Sequence, residues 1–253
     1  MGFISWVKGR LFCDLAIDLG TAFLENQSAG EISIMGAPVD VGAPSWWSGK
    51  CDDTNYYAHT TPHTHSTVLA KWHGVSACGP VGGPDYAVQF FPGAWGEYEF
   101  ECVELVMRFL YLEWGIPPWG GNANQIAYSP HLPNSLVLYP NDGSRGIVPG
   151  DIITENASTQ NSAGHTAVVT GISLNGTGTG TISILEQNAS SSGQRSLNVQ
   201  NWQVQPDTWA WGQTIQGWLH VKGNQDDGNQ DPLFTPGTGA DGRVNAIAIK
   251  PGG

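Results

Sequence analysis

Basic side chains are scarce in this chain: 10 Lys and Arg stand against 22 Asp and Glu in 253 residues, a formal net charge of −12. That balance excludes nucleic acid as a partner, because nothing would neutralise the phosphates. It also gives no electrostatic help on an anionic surface. Charge of either sign is low, at 13%. Long apolar runs are missing too; none approaches the ~20 residues of a membrane-spanning helix, so no membrane span is expected. Lys8, Arg10, Asp14 and Asp18 interrupt the opening stretch, which leaves no clean apolar core for an export signal. The four cysteines, Cys13, Cys51, Cys78 and Cys102, show no C-x-x-C spacing, so zinc is not suggested. In an oxidising compartment Cys51 and Cys78 can pair, which leaves Cys102 for chemistry and Cys13 unassigned.

What is present is Gly (34), Trp (11) and many Ser, Thr and Asn, a polar but weakly charged texture common in exported proteins. Residues 1–30 carry a weak helical pattern, and residues 30–92 read as irregular, with short strands at Ile32–Ile34 and Ser66–Leu69. The spacing of Val103, Val106, Met107, Leu110 and Tyr111 predicts an amphipathic helix over 101–114, stopped by Gly115, Pro117 and Pro118. A short second helix is expected over 122–128. After Gly146 come strands at 151–154, 165–173, 181–187, 195–200 and 215–221. Helices followed by antiparallel strands read as α+β. The organisation expected is an irregular extension over 1–90, a catalytic domain over 91–222, and a linker with a partial repeat-like tail over 223–253. The tail resembles the start of a bacterial propeller-like repeat, as if the chain were a piece of a longer protein.

Cys102 sits at the first turn of the expected helix, where the helix dipole stabilises a thiolate. His165 opens one strand and Glu186 ends the next, so an antiparallel hairpin sets them side by side at one sheet edge. Asn188 follows two residues on. A helix packed with its start toward that edge would join a nucleophile, a base and an orienting group. The N–H groups of the helix start, Cys102 included, would serve an oxyanion.

The segments Glu-Cys-Val-Glu-Leu-Val-Met-Arg-Phe-Leu, Val-Pro-Gly-Asp-Ile-Ile, Gly-His-Thr-Ala-Val-Val-Thr and Ile-Leu-Glu-Gln-Asn together resemble the CHAP family, the cysteine, histidine-dependent amidohydrolases/peptidases, over residues 95–221. The resemblance implies a papain-like fold, with N-terminal helices packed on an antiparallel β-sheet. It implies cleavage of amide bonds, mostly in bacterial peptidoglycan, by Cys102, His165, Glu186 and Asn188. It implies no cofactor, a peptidoglycan peptide as substrate, a monomer, and an extracellular or cell-wall location. Cys-Val-Glu and Glu-Gln-Asn are also similar to the amidase domain of glutathionylspermidine synthetase/amidase, which makes small peptide or polyamine amides an alternative substrate. A wall- or glycan-binding module with a vestigial triad is the non-enzymatic alternative.

Two departures stand out. Glu101 precedes the cysteine where many family members carry Gln, and an ionised Glu there would oppose an oxyanion, so it is expected to point away. Asp85, Glu97 and Glu99 lack the close Asp spacing of calcium-binding members, so no metal is expected. His59, His63, His65 and His73 match no common metal spacing and read as a solvated loop. Trp95 and Trp119, flanking the catalytic helix, are the candidates for substrate contact.

Overall fold

The computed structural model describes residues 51, 58–59, 67–79, 81, 87–208 and 211–222. The expected helix over 1–30, the strand at 32–34, His63, His65 and the tail lie outside these residues. Twelve strands are described: β1 (Ala58–His59), β2 (Thr67–Trp72), β3 (Val75–Gly79), β4 (Ala87–Gln89), β5 (Glu97–Tyr98), β6 (Leu136–Pro140), β7 (Ile152–Glu155), β8 (Thr166–Leu174), β9 (Gly180–Leu185), β10 (Gln194–Gln200), β11 (Gln203–Val204) and β12 (Ile215–Val221). Against them stands one α-helix, α1 (Cys102–Trp114).

This corrects the expected architecture. Among the described residues the fold is mostly β, one helix on a seven-stranded antiparallel sheet, and not a papain-like α+β arrangement with several N-terminal helices. The second expected helix shrinks to a single 3-10 turn at Ile126–Tyr128. Three residues make too short a segment to bury a helical stripe, and the turn is held instead by backbone bonds from Ile126 to Asn122 and from Tyr128 to Gln125.

The large sheet runs β11-β10-β9-β8-β7-β12-β6. Its centre reads as continuous apolar strand because both faces are covered. Ile152, Val168, Leu185 and Leu219 belong to the core shared with α1, whereas Ile153, Ala167, Val169, Ile182 and Ile184 form a second core on the opposite face. The β8–β9 hairpin closes through Asn175, whose Oδ1 accepts the N–H groups of Thr177 and Thr179.

Helix α1 starts after Glu101, whose backbone is extended, and ends where Gly115 takes a left-handed φ of 65° and returns its N–H to Tyr111 O. It is buried nearly all round, Cys102–Leu110 and Leu112 included, so the five-residue apolar stripe marks only part of its covered surface. The additional cover comes from a stretch read as irregular. β2 and β3 form a hairpin there, turned by His73 and Gly74 with φ of 48° and 82°, as a two-residue primed turn requires. Arg108 donates to Ser76 O of β3 at 2.8 Å and is paired with Glu104, one turn earlier on the helix. Cys51 and Cys78 form a disulfide packed against Phe100.

Candidate active site

The register of the β8–β9 hairpin, Val168 opposite Leu185, carries the start of one strand to the end of the other. His165 and Glu186 meet there, with Nε2 3.1 Å from Glu186 Oε2, and both side chains are buried. Gly164 makes the approach possible. Its φ is 77°, and a Cβ there would lie 2.5 Å from Glu155 O and 2.9 Å from Asn124 N, so only glycine fits before His165.

Glu186 is held on every side. Arg195 Nε and Nη2 donate to its two oxygens at 2.6 and 2.7 Å, and the Ser190 N–H adds a third donor at 3.2 Å. Arg195 in turn reaches Asp207, with Nη1 2.9 Å from Oδ1. Burial alone would raise the Glu186 pKa; the hydrogen bonds from His165 and Arg195, with their charges, outweigh it and hold the carboxyl ionised well below the usual range. For His165 burial opposes the charge, but the Glu186 hydrogen bond and the charges of Glu155 and Glu186 lift the imidazole above its ordinary value. With Nε2 committed to Glu186, Nδ1 is the ring nitrogen left for a thiol proton.

Cys102 opens α1 and is fully buried, and α1 packs against β8, the strand that His165 introduces. Its sulfur is disulfide-bonded. The expectation of a free thiol is therefore corrected: the thiolate is available only after reduction. Two residues earlier Phe100, a bulky side chain, sits at a left-handed φ of 68°, a conformation that costs roughly 1–3 kcal/mol and that gathers at functional turns.

Asn188, itself left-handed at φ 58°, donates from Nδ2 to Glu101 Oε1 at 2.7 Å. Glu101 is thus buried and tied across to the strand end. Gln187, which the sequence reading passed over, links three elements. Its Nε2 donates to Glu101 O at 2.9 Å and Glu104 Oε2 at 2.7 Å, and its Oε1 accepts the Cys78 N–H at 2.7 Å. The two tryptophans part company. Trp95 is half-buried, its ring 5.3 Å from that of His131. Trp119 is a core residue whose indole N–H donates to Ile126 O at 3.0 Å, so its face is not open to a substrate. His73 lies in the β2–β3 turn, exposed, 3.4 Å from Glu113. Among the described residues no three His, Cys, Asp or Glu side chains gather as a metal site.

Residues 93–188 match the CHAP domain. The CHAP match runs from just before the helix to Asn188, and it contains Cys102, His165 and Glu186 while stopping short of Arg195 and Asp207. A CHAP domain is a hydrolase domain of the amidase or peptidase type. No curated protein is similar enough to the chain to match it. Arg195 and Asp207 were missed in the sequence reading, although one signal was there: Arg195 is the sole Lys or Arg between Arg145 and Lys222. A lone cation in a long basic-free stretch is a candidate partner for a carboxylate.

Proposed function

We propose that this CHAP domain is a thiol-dependent amidase or endopeptidase that cleaves amide bonds in bacterial peptidoglycan. Cys102 attacks the amide carbonyl as a thiolate; His165 takes the thiol proton at Nδ1 and later gives it to the leaving amine; Glu186 fixes the tautomer by accepting from Nε2. The helix start, with the Cys102 N–H, receives the oxyanion. Asn188 acts one step back: by holding Glu101 it keeps that carboxylate off the developing negative charge. Trp95, half-buried beside the helix, offers an apolar face to the substrate. The observation that carries this reading is the buried His165–Glu186 pair at the end of the strand on which the Cys102 helix packs.

The Cys51–Cys78 disulfide supports an oxidising location, outside the cell or in the wall. Among the described residues no helix is long and apolar enough to cross a membrane. Purified walls incubated with reduced protein should lose turbidity and release new amino termini or free lactyl groups. The Cys102→Ala protein, folded, should do neither; an equally active alanine variant would end the nucleophile assignment. The disulfide at Cys102 favours one second reading, a wall- or glycan-binding module in which that cysteine is structural. Iodoacetamide labelling separates them: a Cys102 that stays unlabelled after mild reduction at neutral pH belongs to the binding module.

A further inference from the structure

Glu155 is a buried carboxyl that the chemistry above does not use. It ends β7, and the β7–β8 register, Thr154 opposite Thr166, continues one step to place it across from His165. The Glu155 N–H donates to His165 O at 2.9 Å, which fixes that step. Residues directly opposite in an antiparallel pair leave the same face of the sheet as close neighbours. Both Glu155 carboxyl oxygens are buried without a hydrogen-bond partner among the described residues. An unpartnered buried carboxyl is costly, and side chains of that kind gather where a site needs them.

We propose that Glu155 is a positioning residue that acts through His165: its charge, set across from the imidazole in the β7–β8 pairing, holds the ring protonated and ties the readiness of the site to one further proton. This rests on the Cys102–His165 reading given above. The groups that face the pair come from each neighbouring element. His165 precedes β8, Glu186 follows β9, Arg195 belongs to β10, Asp207 follows β11, and β12 contributes the apolar Ile215 opposite Glu155. Arg195 is balanced by one of Glu186 and Asp207, and a protonated His165 balances the other. A charged Glu155 is then surplus, so the cluster is neutral when Glu155 carries a proton and negative by one when it does not. Burial pushes Glu155 up to about 7, with His165 and Arg195 pulling it down and Asp207 and Glu186 pushing it further. The pair therefore titrates as a unit. Once Glu155 ionises, the imidazolium is harder to deprotonate, which favours the thiolate–imidazolium form of a reduced site.

The test is an NMR titration of the His165 ring in Cys102→Ala protein, with and without Glu155→Gln. The expected result is a His165 midpoint lower by about one pH unit, a tenfold shift in its protonation constant, once the opposing charge is gone. An unmoved midpoint in a folded variant overturns the proposal. If Glu155→Gln does not fold, carboxyl-labelled Cys102→Ala protein gives the same decision: Glu155 should titrate near 7, and a carboxyl already fully ionised below about pH 5 overturns it. Both measurements use protein that cannot turn over. Inactivity on walls would therefore sink the hydrolase reading and leave a His165 shift standing, while a wall-active protein with an unmoved His165 would do the reverse.

Discussion

Two buried histidine–carboxylate pairs lie in the same sheet. His165 reaches Glu186 at 3.1 Å, and His220 of β12 reaches Asp151 at 2.7 Å. The second is the shorter contact, and the two are equally buried. The difference lies in what surrounds each one. Asp151 turns its other oxygen to the Val148 N–H at 2.9 Å, bracing the turn into β7, and His220 packs beside Tyr139 inside the β6–β12 pairing. That is a strut. Glu186 instead has its second oxygen locked by Arg195, His165 stands across from a second carboxyl, and the strand it opens carries the helix that starts with Cys102. What sets the proposed catalytic pair apart is its neighbours and not its own geometry.

Replacing the two histidines should break the likeness most sharply. His165→Ala should lower wall hydrolysis by about 10⁴-fold or more at unchanged fold, as loss of a triad base does. His220→Ala should leave the activity per folded molecule within a few-fold and lower stability by about 2 kcal/mol in a denaturant titration, because Asp151 loses its partner. The carboxylates come next. Glu186→Gln should cut kcat by about 10²-fold or more with little change in KM, since the amide presents the imidazole with the wrong partner. Asp151→Asn should move stability alone.

The third contrast is in pH. Glu155 has a folded pKa raised from 4.5 to about 7, so the stability it contributes is complete below pH 4.5 and is lost as pH rises through 7. Glu155→Gln should flatten that decline, on the order of 3 kcal/mol by pH 8, read as denaturant midpoints across the range. The smallest effect should come from Trp95. Trp95→Ala should raise KM on wall fragments severalfold with kcat nearly constant, whereas Trp119→Ala should destabilise the protein by about 3–5 kcal/mol by emptying a core position.

Strong local signals in the sequence carry over into the fold. Gly115 and the prolines after it marked the end of α1, and the hairpin rule brought His165 to Glu186, because both depend on contacts close in the chain. Distant partners were not visible in the same way. The i, i+4 pair Glu104 and Arg108 looks like a solvated polar face, yet it is buried because β3 arrives from far upstream with the Ser76 carbonyl. The expected helix over 122–128 is shortened for a related reason. Residues 122–128 lie in the connection between α1 and β6, which leaves room for a single turn held by its own backbone bonds. Glu155 carries no such signal, because a carboxyl acquires meaning only from the strand register that sets it across from His165.

Gln187 has a practical consequence for anyone cutting this protein. It lies between Glu186 and Asn188, and its oxygen accepts the N–H of Cys78, a residue well upstream of the CHAP match. A fragment begun at the first matched residue would keep every residue proposed for catalysis. It would also strip Ser76 from Arg108 and Cys78 from Gln187, leaving a buried cation and an amide with part of their bonding gone directly beneath the helix start. A fragment that keeps this cover must begin before Cys51, because the Cys51–Cys78 disulfide belongs to it and packs against Phe100, two residues before the helix start.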